Sequence, residues 1–292
     1  KRYLEDIDLK ELVLPLIVLD FSTEVANNND FIVTRAHIEE WEKEHDPLWQ
    51  QLNTLKQATW VDLTHTFDPE IPRFSEFEKG EVSTLFTVKD HGFYVQRWNI
   101  VTQYGTHIDA PIHFVENKRY LEDIDLKELV LPLIVLDFST EVANNNDFIV
   151  TRAHIEEWEK EHGTIEPGTF VALHTDWSKR WPNIEKFENK DANGQQHAPG
   201  WGLDALKYLI EERRVEAVGH ETFDTDASVD VVKNGDLVGE RYILGQDKYQ
   251  VELLTNLDQL PTRGAIIYAI SPKPKDAPGF PVRAFAIKPS ND

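Results

Sequence analysis

Residues 102–114, TQYGTHIDAPIHF, set His107, Asp109 and His113 within seven positions. Three such side chains are costly to bury unless something pairs with them. On an extended backbone, residues two apart face the same way, so His107 and Asp109 project together. Pro111 turns the chain and lets His113 come back toward them. Gly105 permits a close backbone approach or an unusual φ. Imidazole plus carboxylate without sulfur suits Zn²⁺ or Mn²⁺. Such an ion lowers the pKa of bound water toward about 7 and polarises a carbonyl, and an unligated histidine beside it is a natural proton shuttle. The same spacing also serves a hydrogen-bonded His–Asp pair in a turn.

Elements able to position these residues follow from hydrophobic period and punctuation. The alternating run up to Val101 in FYVQRWNIV (93–101) predicts a strand feeding the motif. ATWVDLTHTF (58–67) predicts a strand entering a proline-marked loop, and GTFVALHTDW (168–177) a glycine-led strand. LDALKYLIEERR (203–214) has Leu203, Leu206, Leu209 and Ile210 at helical spacing. Strands are again expected at VEAVGH (215–220), GAIIYAI (264–270) and FPVRAFAI (280–287). Strand, helix, strand in succession predicts an α/β domain with some parallel pairing, whose ligands collect beyond the strands' carboxyl ends. HTDW (174–177) and HETFDTD (220–226) are such ends, expected at one edge. His65 and His220 are candidates for the substrate pocket, and His220 with Glu221 for a replacement metal ligand. His174 reads as a strand-end residue without chemistry. Trp177, Trp181 and Trp201 suit either an aromatic wall or the core. Arg283 reads as structural, and residues 185–196 as a solvated loop.

Residues 1–45 recur letter for letter as 118–162. A single perfect copy is unlike a solenoid, whose repeats diverge and come in threes or more. The copied unit reads as a buried strand, LVLPLIVLDF, then a loop and a helix with Thr151 as N-cap, Ile155 and Trp158 on one face and Gly163 past the end. In the first copy Asp46-Pro47 stands where Gly163 does and stops the helix by a different device. A fold has one slot for this unit, so 1–45 is read as functionally inert and 46–292 as a single domain.

The formal charge is −22, and removing the copy, with its 5 basic and 11 acidic residues, leaves −16. That acidity argues against nucleic acid or an anionic membrane as partner. Cysteine is absent, which excludes disulfides, thiolate metal sites and a cysteine nucleophile. Methionine is absent too. No apolar run approaches the roughly 20 residues of a membrane span, and KRYLEDIDLK (1–10) has no secretory character. The expected place is the cytoplasm and the expected partner a small-molecule substrate.

TQYGTHIDAPIHF resembles the H-x-G-T-H-x-D-x-P-x-H signature of the cyclase-type metal-dependent hydrolases, a family that includes bacterial kynurenine formamidase and isatin hydrolase. The resemblance runs in order over most of residues 60–287. VDLTHTF resembles the family's DLSH strand, HTDWSKRW its T-G-W segment, and VGHETFDTD its G-x-D-T-x-S-x-D loop. ELLTNLDQLP is similar to E-N-L-x-N-L-D-x-L-P, and FPVRAFAI to the closing PVR strand. The resemblance implies an α/β fold with a mixed sheet, the swivelling β/β/α cyclase fold, assembled as a homodimer or higher homo-oligomer. It implies His107 and Asp109 as metal ligands, Glu252 as a late carboxylate ligand, and His113 as the general acid/base. Two positions depart from it: Gln103 stands for the first histidine, and Glu240 for a ligand histidine twelve residues before Glu252. With two imidazoles missing, one divalent ion, Mn or Zn, is expected on His107, Asp109, Glu252 and Gln103, the oxygen-rich set favouring Mn²⁺. The implied activity is hydrolysis of a small amide or cyclic amide, of the aryl formamide or lactam type, by metal-activated water. A lactonase or dehydratase-like cyclase on the same ion, and a non-catalytic ligand-binding relative, are the alternatives.

Overall fold

The computed structural model describes residues 47–290 throughout, with residues 3, 7–12, 14, 26–27, 30 and 32–34 before them. Two compact units are present: Lys1–Trp60 with Pro289–Asp292, and Val61–Lys288. Described elements of the first unit are the helices Leu9–Leu12 and Pro47–Gln57. Pro47 opens the latter, where a missing N–H costs nothing. Most of the first copy, including its expected strand and helix, lies outside the described residues.

The second unit carries the chemistry. Its strands, with β1 beginning just before it, are β1 (Thr59–Asp62), β2 (Glu81–Phe86), β3 (Val95–Asn99), β4 (His107–Asp109), β5 (Val130–Asp137), β6 (Ile149–Val150), β7 (Phe170–His174), β8 (Gly200–Trp201), β9 (Ala217–His220), β10 (Tyr249–Glu252), β11 (Ala265–Ile270), β12 (Gly279–Pro281) and β13 (Arg283–Lys288). Nine of them form one mixed sheet in the order β1-β13-β11-β5-β7-β9-β10-β4-β12. The neighbours β5–β7, β7–β9 and β9–β10 are parallel, while β4 is antiparallel to both β10 and β12. This is the mixed α/β architecture expected of the chain.

The centre of the sheet is buried on both faces, which is why LVLPLIVLDF reads as a continuous apolar run. Leu133 and Val135 of β5 join a cluster with Phe170, Ala172 and Val251. Ile134 and Leu136 point the other way and join Ile155, Trp158, Leu206 and Leu209. Each fully buried aliphatic side chain of this kind contributes roughly 1.5–3 kcal/mol. The second copy fills the slot: β5 lies between β11 and β7, and the helix Arg152–His162 buries Ile155 and Trp158 and ends at Gly163, φ 87°. The helix at Leu203–Lys207 runs into a π turn over Tyr208–Glu212.

Two expectations are corrected. FYVQRWNIV does form a strand, β3, but it pairs with β2 in a separate two-stranded ribbon, and every residue of both strands is exposed. Alternation there reflects the pleat and not a half-buried face. The HTDW and HETFDTD segments do meet at one edge of the sheet, where the parallel strands β7 and β9 end side by side, but they do not build one site. His174, Asp176 and Asp137 line a different cavity, together with Lys179 and Asp258.

Candidate metal centre

Strand register builds the site. Glu252 sits opposite His107, and Gln250 opposite Asp109, across the β4–β10 pair. Alternation then puts His107, Asp109, Gln250 and Glu252 on one face, while Ile108 points into the core on the other. The G-T-H segment fixes this geometry. Gly105 holds φ +64°, a conformation that favours glycine, and its carbonyl accepts from His107 Nδ1 at 2.8 Å. Thr106 Oγ1 donates to the Leu253 carbonyl at 2.6 Å and accepts from the His65 N–H, tying β4 to the end of β10.

With Nδ1 committed to Gly105, His107 turns Nε2 toward the carboxylates. That atom is buried and has no hydrogen-bond partner among the described residues. It lies 3.4 Å from Glu252 Oε2 and 3.5 Å from Asp109 Oδ1. One donor atom from each of His107, Asp109 and Glu252 falls within 4.8 Å of the others, and Asp109, His113 and Glu240 form a second such group. His113 Nε2 is 4.0 Å from Asp109 Oδ1, with the ring a quarter exposed. Glu240 comes from the helix Val238–Gly245, whose first turn is held by Asp226: its carboxylate accepts from Gly239 N at 2.7 Å and Glu240 N at 3.0 Å.

The electrostatics call for a cation. Burial, and then the charges of Glu240, Asp109 and Asp224, push the Glu252 carboxyl well above its usual range. Glu240 is pushed well up by burial and by Asp109, Asp224 and Asp226. Asp109 is driven the other way: burial raises it, but the electrostatic attraction of His107, 3.5 Å away, outweighs that. Crowded buried carboxylates facing a bare imidazole nitrogen are a poor arrangement for the apoprotein and a good one for a divalent ion. The donor set therefore fits the metal implied by the sequence.

Gln250 completes the site and was not singled out by sequence. Its Nε2 donates to Asp109 Oδ2 at 3.2 Å and to Glu252 Oε1 at 3.0 Å, while its Oε1 accepts from Thr225 Oγ1 at 2.5 Å. The signal was present, since Gln250 stands two residues before Glu252 on the same strand. Gln103 lines the same cavity as His107 and Glu252 and bonds to Asp109. Its Nε2 donates to Asp109 Oδ1 at 3.3 Å and its Oε1 accepts from Thr102 Oγ1 at 2.5 Å, so it holds Asp109 in place.

A cavity of about 270 Å³ opens onto this cluster, lined by His107, His113, Glu240, Glu252, Asp224, Arg73 and the rings of Phe74, Phe77, Phe114 and Phe223. His65 and His220 do not line it. His65 stacks on Trp181 at 4.0 Å, and burial lowers its pKa to about 4. His220 lies behind Glu252, with Nε2 3.7 Å from Oε1, and is likewise pulled down to about 4 by burial. Glu221 accepts from the N–H groups of Thr175 and Trp177 and from the hydroxyls of Thr175 and Ser178, and so braces a loop. Trp177 and Trp201 are core. The aromatic wall comes from phenylalanines, two of them in the loop after Pro72, where no periodicity marks them. Arg283 is structural, paired with Asp62 at 2.7 Å.

The family model described as "Putative cyclase" matches residues 1–54 and 61–227. The isatin hydrolase of Roseibium aggregatum is 32% identical over 225 residues, covering 75% of this chain and 81% of that protein. Cyclase-like protein 1 of Arabidopsis thaliana is 25% identical over 236 residues, 78% of this chain and 84% of that one. The solved structure of isatin hydrolase A from Labrenzia aggregata, bound to benzyl benzoate, superposes with TM-score 0.78 at 32% identity, over 84% of this chain and 100% of that one. Similarity across most of the chain in both sequence and fold, with the signature residues gathered at one buried cluster, means that this chain belongs to the cyclase family of metal-dependent hydrolases.

Proposed function

We propose that this protein is a metal-dependent amidohydrolase that opens a small cyclic amide fused to an aromatic ring. One observation carries the reading: the buried Nε2 of His107, without a partner, facing two carboxylates. Similarity to isatin hydrolases and the four phenylalanine rings of the cavity support the aryl lactam over an open-chain aryl formamide.

His107 Nε2, Asp109 and Glu252 would hold one divalent ion, and their two carboxylates to one imidazole favour Mn²⁺ over Zn²⁺. When bound, the ion supplies Lewis acidity, making a water acidic and a carbonyl electrophilic. Gln250 and Gln103 orient the carboxylates, so each ligand is fixed before substrate arrives. The phenylalanines bind the aromatic ring and exclude water from around it. His113, on the cavity wall beside Asp109, holds a proton at Nε2 and delivers it to the departing nitrogen as the C–N bond breaks.

The test is His113→Ala with metal content measured alongside turnover of isatin. Turnover should fall by roughly 10²–10⁴-fold with the metal still at one equivalent. Undiminished turnover would refute the role of His113. A loss of metal would instead assign His113 to the Asp109–His113–Glu240 group as a ligand. No turnover of lactam, formamide or lactone by the metal-loaded wild type would leave the ligand-binding relative, the reading that Gln103 and Glu240 favour.

A further inference from the structure

Asp224 lines the same cavity as His113, Glu240 and Glu252, in the loop that follows β9. It is half-buried. Among the described residues no hydrogen bond or ion pair reaches its carboxylate; only its main-chain carbonyl is engaged, accepting from Thr222 Oγ1 at 2.9 Å. The neighbouring carboxylates are answered: Asp109 and Glu252 by Gln250, Asp226 by two backbone N–H groups. Nor does Asp224 belong to either group of donors that could share an ion. In the G-x-D-T-x-S-x-D pattern this loop resembles, the position is serine, so the chain has put a charge where a hydroxyl would stand.

A carboxylate among phenyl rings is tolerable while water solvates it. An aromatic ligand expels that water and must then bring a donor, or leave the charge buried and unpaired. The one donor every unsubstituted lactam carries at its reacting end is the ring N–H. We infer that Asp224 accepts a hydrogen bond from the N–H of the scissile amide and selects against N-alkylated substrates. This rests on the amide-hydrolysis reading above, and it makes Asp224 a specificity-determining residue.

Calorimetric titration of the Mn²⁺-loaded protein with oxindole and N-methyloxindole tests it without relying on turnover. The wild type should favour oxindole by about 10- to 100-fold, as a site built around a polar contact does. Asp224→Ala should lose that preference through weaker oxindole binding, and Asp224→Asn, which keeps an acceptor oxygen, should retain part of it. A preference lost because N-methyloxindole binds better would show a steric effect and overturn the inference. So would equal binding of the two ligands by the wild type, or a fall in metal content in either variant. Should the wild type bind neither ligand and hydrolyse no lactam, the amide-hydrolase reading fails, and the role of Asp224 with it.

Discussion

At the scale of single residues, the site depends on groups that never touch substrate. Gly279 stands opposite Asp109 across β4–β12. A Cβ added there would lie 2.4 Å from the Ile108 carbonyl, 2.6 Å from Gln103 Nε2 and 3.0 Å from Asp109 Oδ1. Gly279→Ala must therefore move backbone or displace both the aspartate and the amide that holds it. Overpacking of this sort costs about 1–3 kcal/mol of stability, and misplaced supporting groups weaken metal binding by about 10–100-fold. Mn²⁺ titration of the variant measures this, and wild-type affinity would show that Asp109 does not depend on the tight packing. Sequence made His107, Asp109 and His113 legible because they share one short motif. It left Gln250 and Phe74 unremarked, because an amide in a strand and a phenylalanine in a loop have no spacing that separates function from packing.

At the scale of elements, the end of β7 shows a histidine held between two aspartates. His174 Nδ1 lies 3.0 Å from Asp137 Oδ1 and Nε2 2.8 Å from Asp176 Oδ1. Burial opposes its charge, but the bond to Asp137, the charge of Glu221 and the bond to Asp176 prevail and push its pKa up to about 9. Asp137 is lowered by the same contact, so the two shifts describe one interaction. A histidine whose pKa is higher folded than unfolded contributes stability in full below its unfolded value of 6.5, and that contribution disappears as pH rises through 9. Both aspartates are well exposed, so solvent screening holds the contribution to about 1 kcal/mol at most. Urea unfolding at pH 6 and pH 9.5 should show the wild type losing this increment and His174→Gln lacking it. Parallel losses in the two proteins would discard the ion pair as a source of stability. The sequence reading of His174 as a strand-end residue holds at β7. Its expectation that β7 and β9 deliver one site failed because the ends of neighbouring parallel strands here open onto different cavities.

At the scale of the molecule, the duplicated segment poses a question of occupancy. Residues 118–162 supply β5 and the helix Arg152–His162 to the sheet and its core. We propose that residues 1–45 add nothing to the chemistry. Protein beginning at residue 46 should keep the metal content and turnover of the full chain, and a loss of either on deletion would give the first copy a function. No helix among the described residues is long and apolar enough to cross a membrane. The ribbon of β2 and β3 leaves Val82, Phe86, Val95 and Trp98 exposed, a feature that the alternating pattern of its sequence had concealed.

The sequence alone determined the chemical type of this protein: an imidazole–carboxylate motif on an α/β scaffold, strands long and apolar enough for a sheet buried on both faces, no thiol chemistry, and an acidic surface. Those follow from residue identity and local period, which act over a few positions. The tertiary structure decided which groups meet. Glu252 faces His107 because two strands 145 positions apart pair in one register. Glu240 reaches the cavity because Asp226 fixes the start of its helix, and His65 and His220 miss it because packing seats one on Trp181 and the other beside Glu252. Register, capping and cavity shape are long-range outcomes of packing, and no local pattern encodes them.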